Sequence, residues 1–302
     1  YLGHLLVILF YIGLGLLSNF GLEHNLYQYG SDSGYTYSDM NHWGPYVWPF
    51  VWWKLYWGSI AILLLVAADL FWVRGEETTF HARSRLARGR FTGAARITAG
   101  AAALSAVGLG VFILYNTTVL NTFRSSKAER HLRAERERLY KRYETSPQPR
   151  VTAITVQVDL YPKKGGAVIT GQYVLRNKTS ARIDSIHLAM DEDLEIRRLV
   201  FDRTSKQVLV DRPRNWIIYR LDRPLAPGDS MIMRFVLGRI KHGFPNTIQE
   251  VHVAGNGTFL ENLSFMPEIG YDDRAEIQNE DARKKEHLPA RARMRPPTDP
   301  RT

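Results

Sequence analysis

The sequence contains no cysteine among its 302 residues. Disulfide bonds, thiolate metal ligands and cysteine nucleophiles are therefore excluded, and cysteine usage gives no information on the redox compartment. The chain carries a formal net charge of +10, but its basic residues gather beside apolar segments and in one helical stretch. We interpret this charge as a sign of membrane topology and do not expect nucleic acid as a partner.

Two kinds of catalytic motif are also missing from the sequence. None of the nine histidines pairs with another as His-x-x-x-His, and no Gly-x-x-x-x-Gly-Lys-Ser/Thr loop occurs. The first spacing places two zinc ligands on one helix face, and the second cradles nucleotide phosphates. We therefore assign no catalytic residue, no cofactor-binding residue and no metal ligand to this chain. An independent enzyme within these residues is the least favoured hypothesis.

Long apolar runs are abundant in the first part of the chain. We predict transmembrane helices at residues 1–20, 46–73 and 97–116. The first and third contain no Asp, Glu, Lys or Arg, whereas the second carries Lys54 and Asp69. A helix of 19 residues rises about 28 Å, close to the roughly 30 Å of a bilayer's hydrocarbon core. The first run lacks a basic leader and a cleavage site, so we do not interpret it as a signal peptide.

The loops between these helices predict an orientation. Residues 21–45 contain no Lys or Arg, whereas residues 74–96 contain six arginines. The positive-inside rule places the second loop in the cytoplasm and the first outside, so the chain after residue 116 is expected outside. The basic composition of residues 117–146 opposes this assignment, but long translocated domains largely escape the rule.

An aromatic stretch, "HWGPYVWPFVWWKLYW", precedes the core of the second predicted helix. Aromatic rings with a polar edge favour the headgroup level of a bilayer, and a lysine can extend its ammonium from there into water. We predict a membrane-interface belt, with a ligand-stacking platform as the alternative. Its members are Trp48, Trp52, Trp53, Lys54, Tyr56 and Trp57. In the third helix, Gly100, Gly108 and Gly110 favour close packing against other transmembrane helices.

Residues 124–144 show a charged helical pattern. Glu129 with Arg133, and Glu137 with Lys141, have the spacing of stabilising pairs on a helix surface. A thin apolar strip consists of Ala128, Leu132, Leu139 and Tyr143. We predict a helical stalk that lifts the next domain off the membrane; a calmodulin-like target helix is an alternative.

From residue 151 the apolar period changes to two. Short β-branched and aromatic runs such as "ITVQVDL" alternate with turn sequences such as "KKGG" and "PLAPGD". In "ITVQVDL", Ile154, Val156, Val158 and Leu160 are expected to share one face. The predicted fold class is therefore transmembrane α-helices followed by an all-β extracytoplasmic domain, as an antiparallel sandwich or saddle-like sheet.

The order of these parts resembles a known kind of fusion protein. The run from "VTAITVQVDLYP" through "PLAPGDSMIMRFVL" to "NGTFLENLSFMPEIGY" resembles the N-terminal β domain of aminopeptidase-N-like zinc metallopeptidases. The upstream run from "YSDMNHWGPYVWPFVWWKLYW" resembles the membrane part of bacterial proteins that fuse an ABC-type permease to such a peptidase. "MPEIGYDD" departs from the Cys/Ser-Phe-Asp-Glu-Pro-like element of soluble relatives.

The resemblance implies a role for this chain. It would be the membrane-anchoring permease segment and noncatalytic β domain of a bacterial inner-membrane, multi-pass fusion that presents a peptidase region outside. Its implied partners are the lipid bilayer, other permease helices, a separate ATP-binding ABC subunit and peptides, and zinc is expected only if a catalytic domain follows. The alternative is a membrane-anchored binding or scaffolding module without peptidase activity. The chain begins with Tyr1 rather than Met, and we expect it to be a fragment of a longer protein.

The predicted interface toward that catalytic domain lies near the end of the chain. Its candidate residues are Asn256, Gly257, Phe259, Pro267, Glu268 and Tyr271. The predicted segments are transmembrane helices at 1–20, 46–73 and 97–116, loops at 21–45 and 74–96, a stalk at 117–149, a β domain at 150–271 and a polar tail at 272–302. We expect the tail to be extended, draped or partly disordered.

Overall fold

The structure, a computed structural model, describes residues 2–39, 41–72 and 79–291. The chain forms two compact units. The first comprises residues 1–125 and 242–256, and the second comprises residues 126–241 and 257–302. Helices build the first unit, and antiparallel sheets build most of the second. The predicted order of helices followed by β structure is confirmed.

Two long apolar helical stretches dominate the first unit. Its described α-helices are α1 (Leu2–Leu16), α2 (Val47–Phe71), α3 (Phe80–Arg90) and α4 (Gly93–Leu114). A short 3-10 turn precedes α2, and α4 continues into a π-helical segment, Tyr115–Leu120. The stretches Gly44–Phe71 and Gly93–Leu120 are each long and apolar enough to cross a membrane. The end of the second predicted helix at Val73, and residues 74–78 of the basic loop, lie outside the described residues.

The apolar helix α1 is shorter than the predicted span at residues 1–20. It has 15 residues and tightens into a 3-10 turn at Leu17–Phe20. Gly21 then adopts a φ of +79°, and the N–H of Leu22 bonds the carbonyl of Leu17 at 3.0 Å. This hydrogen bond across a left-handed glycine ends the helix. Within the described residues, two helical stretches rather than three therefore reach spanning length.

Small side chains bring α2 and α4 together. The hydroxyl oxygens of Ser59 and Ser105 lie 3.0 Å apart across the two helices, and Ala102 and Ala106 are buried. A Cβ on Gly110 would lie 3.3 Å from the ring of Tyr56. Gly110 therefore does make a close helix contact, but its neighbour is α2 of this chain rather than a helix from outside it. The positions where a Cβ would stand on Gly100 and Gly108 have no neighbour within 4 Å in the described chain.

Seven main strands form the second unit, and they coincide with the predicted β runs. They are β1 (Arg150–Tyr161), β2 (Gly166–Arg176), β3 (Ile183–Ala189), β4 (Glu195–Phe201), β5 (Ser205–Asp211), β6 (Trp216–Leu225) and β7 (Ser230–Arg239). The short elements that follow are β8 (Val253–Ala254), which belongs to the first unit, and β9 (Gly257–Thr258), α6 (Asn262–Phe265), β10 (Glu268–Ile269) and α7 (Glu280–Lys285).

The main strands form two antiparallel four-stranded sheets. Their strand orders are β1-β2-β7-β4 in the first sheet and β10-β3-β6-β5 in the second. On β2 and β7, the alternate residues that face inward are buried, among them Tyr173 and Phe235. The register sets Ile154 opposite Tyr173 and Val158 opposite Ile169, which confirms the predicted apolar face of β1. This face remains largely exposed on β1, which is an edge strand of its sheet.

The predicted stalk does not stand apart from the β domain. Its helix, α5 (Ser126–Tyr140), belongs to the second unit. Tyr140 stacks on Trp216 with ring centroids 5.1 Å apart. Both side chains pack against Ala189 on the outer face of the second sheet. Of the predicted apolar strip, Leu139 is exposed, whereas Tyr143 packs against this cluster as predicted. The buried residues of the helix are Ala134, Glu137 and Tyr140.

Ion pairs explain why a different face of α5 is buried. The predicted Glu129–Arg133 pair forms at 3.0 Å. Glu137, however, bonds Arg283 of α7 at 2.5 Å with both side chains almost fully buried, and the predicted Glu137–Lys141 pairing was wrong. The partner of Lys141 is Glu276, at 2.7 Å. Charged partners near the end of the chain, Arg283 and Glu276, therefore determine which face of α5 is buried. The thin apolar strip alone does not determine it.

The same contacts overturn the prediction of an extended or disordered tail for its described part. Residues 272–291 fold along α5, with Ile277 and Leu288 packed against Ala134. Glu286 bonds Arg130 and His131, both at 3.1 Å. Few apolar residues suffice here because paired charges satisfy the polar ones. Residues 292–302 of the predicted tail lie outside the described residues.

A second difference concerns residues 242–256. The sequence places them in the predicted β domain at 150–271, yet they fold with the helices of the first unit. Phe244 packs there against Trp53 and Ile113. Residues 242–256 thus interrupt the second unit in the sequence, and the second unit continues from Gly257.

The buried ion pair generates a stability prediction. Glu137→Ala would leave the Arg283 guanidinium buried without its carboxylate, so we expect the free energy of unfolding to fall by about 3–5 kcal/mol. Chemical denaturation of the full chain in detergent, followed by the β-sheet circular dichroism signal, measures this change.

Glu129→Ala is the matched control on the same helix. It removes an exposed pair and should cost less than about 1 kcal/mol. Glu137→Met combined with Arg283→Met removes both charges and should recover part of the lost stability, since the carbonyls of Ile277 and Pro289 lose their donor. Equal losses for Glu137→Ala and Glu129→Ala would contradict the assigned role.

Candidate functional site

The predicted membrane-interface belt is divided between exposed and buried side chains. Trp48 is 69% exposed, whereas Trp53 is fully buried and Trp57 is 8% exposed. Trp52 is half-buried and contacts the ring of Phe112 at 4.9 Å. Only part of the predicted belt is therefore placed to meet a lipid headgroup layer.

The buried tryptophans bind protein groups instead. The indole N–H of Trp53 donates to Ser33 Oγ at 2.8 Å, and that of Trp57 donates to the carbonyl of Ser31 at 2.7 Å. Lys54 pairs with Asp32 at 2.7 Å and also donates to the carbonyl of Gly30 at 3.0 Å. The acidic loop of the first unit thus folds over these side chains.

Two segments that are distant in sequence are connected by hydrogen bonds beside Trp53. We call residues 21–39 and 242–256 the cap. Ser33 connects them, since its hydroxyl accepts from Trp53 and donates to the carbonyl of Pro245 at 2.7 Å. Asn25 donates to the carbonyl of Asn246 at 2.6 Å, and its backbone N–H donates to the Asn246 side chain at 3.0 Å. Each partly buried hydrogen bond of this kind contributes about 0.5–1.5 kcal/mol.

His24 anchors the cap to α4. Its Nδ1 accepts the N–H of Leu26 at 3.2 Å, and its Nε2 lies 2.9 Å from Thr117 Oγ1. Nδ1 must therefore be unprotonated, so the ring is neutral with its proton on Nε2. The Thr117 hydroxyl in turn donates to the carbonyl of Ile113 at 2.8 Å. Because both ring nitrogens are used, His24 is not available as a catalytic base.

The π-helical segment at the end of α4 supplies further contacts for the cap. Gly243 has a φ of +60°, and a Cβ there would collide with the side-chain oxygen of Asn116. Asn121 donates to the carbonyls of Asn116 at 2.9 Å and His242 at 2.8 Å. Only glycine fits at position 243, since other residues would meet both the strained backbone and the collision.

An aromatic cavity lies at the start of α2. It has a volume of about 430 Å³ and is lined by Tyr35, Trp43, Tyr46, Val47, Phe50 and Val51. The ring of Tyr35 meets those of Trp43 and Phe50 edge-on, at 5.2 and 5.4 Å. Such a cavity can take an apolar group, and its few polar atoms offer little to orient one.

The predicted interface segment near the end of the chain also contains both exposed and buried residues. Asn256, Gly257 and Phe259 are exposed, and Phe259 is 72% exposed. Pro267 is buried, and Glu268 lies on β10, which pairs with β3.

The last residue of that segment belongs to the ion-pair cluster around α5. Tyr271 donates its hydroxyl to Glu276 at 3.0 Å, and burial, with Glu276 beside it, raises its pKa. Burial likewise raises the pKa of Glu268, aided by Asp272 and opposed by Arg274. Pro267 is thus buried and Glu268 and Tyr271 are half-buried within the second unit, whereas the residues at the beginning of the segment are exposed.

Across residues 2–39, 41–72 and 79–291, no group of three His, Asp or Glu side chains could hold an ion. The contacts observed in the cap form a hydrogen-bond network that joins its two segments.

Sequence reasoning missed this network. His24 and Asn25 stand in a polar loop, and nothing in their spacing identifies partners that follow more than 90 and 200 residues later. One local signal was present: Asn116 and Thr117 directly follow an apolar run, where polar side chains can bond helix carbonyls freed at its end.

The comparisons with known proteins gave no assignment. No protein-family model matches the chain, and a search of curated proteins returned no match either.

The buried His24 generates a pH prediction. Burial lowers the pKa of His24 below its ordinary value of 6.5. The cap therefore favours neutral His24, so its stability is full above pH 6.5 and falls as the pH drops from there toward the lower pKa of the folded state. We expect the melting temperature of the chain in detergent to fall between pH 7.5 and 5. A loss of about 1 kcal/mol would lower it by roughly 2 °C.

His24→Gln should be less stable at pH 7.5 but should lose most of this pH dependence. His81→Gln, on the exposed side of α3, should keep it. If His24→Gln retains the full pH dependence, another group governs the cap.

Proposed function

We propose that the chain anchors a noncatalytic β domain in a bacterial inner membrane. It would be a segment of an ABC-type permease fused to a zinc-aminopeptidase-like region, which the β domain presents outside the membrane. In this proposal the two four-stranded sheets form a sandwich, and the chain itself performs no catalysis.

One observation carries the membrane part of the proposal. Of the most apolar 18 residues in each long helical stretch, only 17% are buried within the molecule. Side chains such as Leu64 and Leu65 of α2 and Leu104 and Val107 of α4 are largely exposed. Apolar surface this extensive is unfavourable in water and favourable in lipid.

The charges of the two loops support the proposed orientation. The loop that contributes to the cap carries Glu23, Asp32 and Asp39 and no basic residue, whereas α3 alone carries Arg83, Arg85, Arg88 and Arg90. The positive-inside rule then assigns α3 to the cytoplasm and the cap to the outside.

The structure also offers support for helix partners within the membrane. The faces of α4 around Gly100 and Gly108 are open, and small residues there would admit another helix closely. Other permease helices are the proposed occupants. A separate ATP-binding subunit would supply energy, since the sequence has no phosphate-binding loop.

Support for the peptidase part comes from the resemblance in the sequence and from the exposed start of the predicted interface segment. Gly257 and Phe259 are exposed on the second unit, where a following domain could contact them. Zinc and peptides would be bound by that domain rather than by this chain.

A membrane-anchored binding or scaffolding module is the second candidate. A groove on the first sheet favours it: its lining includes the exposed side chains of Arg198 and Arg234, which have no ion-pair partner among the described residues. In this case no peptidase follows the β domain, and the domain itself contacts a ligand.

The reading frame beyond Thr302 decides between these candidates. A His-Glu-x-x-His sequence with a further downstream Glu would support the tethered peptidase. If the natural protein contains no such sequence, the tethered-peptidase proposal is wrong and the binding or scaffolding module is the candidate that remains.

The orientation is tested with single cysteines, because the chain has none of its own. Ser180→Cys lies in an exposed turn of the second unit, and Gly89→Cys lies on the exposed side of α3. In intact spheroplasts, an impermeant maleimide should label position 180 and should label position 89 only after permeabilisation. The reverse pattern would overturn the orientation, and labelling of both in intact spheroplasts would overturn the membrane anchor.

A further inference from the structure

A groove of about 400 Å³ lies on the first sheet of the β domain. Strand register places its lining residues in two rows across the four strands. The rows are Thr155–Gln172–Arg234–Val200 and Gln157–Thr170–Val236–Arg198. The groove volume lies within the usual range for sites that bind small molecules.

The groove is on the outer face of the sheet. Between the two rows lie Val156, Gly171 and Phe235, whose side-chain positions point the opposite way. Phe235 is almost fully buried, and a Cβ on Gly171 would meet its ring at 2.6 Å. The backbone of these residues therefore forms the floor, and the polar rows form the walls.

A β-bulge gathers arginines at one side of the groove. The register of β4 shifts between Ile196 and Arg198, so Arg197 is the extra residue. The guanidinium of Arg197 lies over Gly238, about 3.0 Å from where a Cβ would be. Bulges re-aim side chains in this way, and this one turns adjacent arginines toward the same face.

These arginines differ in their partners. Arg197 binds Glu195 at 3.1 Å. Arg198 and Arg234 are exposed, and neither has an ion pair or a side-chain hydrogen bond within the described part of the chain. Their positions are diagonal neighbours on paired strands, which places their Cβ atoms about 7 Å apart. Two uncompensated like charges at this spacing repel each other, and an anion between them would relieve that repulsion.

The chemistry of the lining favours a phosphate. Each guanidinium presents a fork of N–H donors, and the acceptor sites of a carboxylate lie in one plane, whereas the oxygens of a phosphate are arranged around a tetrahedral centre. A phosphate has enough oxygens for two forks. Thr155, Gln157, Thr170 and Gln172 add donors and acceptors suited to hydroxyl groups.

The surroundings limit the size of this anion. Asp159 on β1 and Glu195 on β4 lie in the next row of the sheet, and Asp202 follows β4 at the other end. Carboxylates around the pair of arginines would repel a long polyanion. A single compact phosphate is therefore the best match.

We propose that this groove binds an organic phosphate that carries hydroxyl groups, with Arg198 and Arg234 holding the phosphate. The ligand is either a soluble phosphate ester or the headgroup of an anionic phospholipid. The site does not depend on the membrane anchor or on the peptidase proposed above.

Glycerol 3-phosphate is the test ligand, and glycerol is its uncharged counterpart. Isothermal titration of the full chain, in a detergent with an uncharged headgroup, should show saturable binding of glycerol 3-phosphate and none of glycerol. Arg198→Gln and Arg234→Gln should each weaken binding by about tenfold or more, because each removes charge-assisted hydrogen bonds. Circular dichroism checks that each variant folds.

Arg220→Gln is the matched control, since Arg220 is an exposed arginine on β6 of the other sheet. It should bind as the unaltered chain does. Thr170→Val keeps both arginines and should weaken binding less than either arginine variant. Absence of saturable binding, or equal affinities for Arg198→Gln, Arg234→Gln and Arg220→Gln, would overturn the proposal.

Nanodiscs distinguish the two sources of the phosphate. In discs of phosphatidylglycerol, a site that holds a lipid headgroup should lose affinity for glycerol 3-phosphate relative to detergent. An unchanged affinity that remains sensitive to Arg198→Gln assigns the site to a soluble phosphate ester.

Discussion

Arg283 and Glu137 meet inside the second unit with side chains that are 2% and 3% exposed. Arg283 also donates to the carbonyls of Ile277 at 2.8 Å and Pro289 at 2.8 Å. A charge buried this deeply is tolerated only where its hydrogen bonds are satisfied. The pair therefore fixes α5, α7 and the chain around them in one arrangement, and Tyr140 is held against the second sheet as a result.

Buried polar groups also need hydrogen-bond partners in the first unit, where these groups are neutral. Apolar helices that end in polar residues need partners for those residues and for their last carbonyls. The cap provides them through His24, which bonds Thr117, and through the carbonyl of His242, which accepts from Asn121. A segment that follows β7 is thereby recruited to the helices, although its neighbours on both sides belong to the β domain.

The arginines of the second unit differ in whether they have protein partners. Arg239 is buried and bonds Asp193 at 3.0 Å and the carbonyl of Ser264 at 2.7 Å, as a stabilising arginine should. Arg198 and Arg234 have no such partner among the described residues, and their exposure makes them accessible to a ligand. This contrast separates the side chains that hold the proposed anchor together from those proposed to bind.

Local pattern alone determined the element types: apolar runs for α2 and α4, a period of two for β1 to β7, and the surface pair Glu129–Arg133. These features depend on residues a few positions apart, so the sequence displays them directly. Tertiary structure decided which face of α5 is buried, where residues 242–256 belong, and that residues 272–291 fold. Each of those outcomes depends on hydrogen bonds or ion pairs between residues more than 100 positions apart, whose geometry no local period encodes.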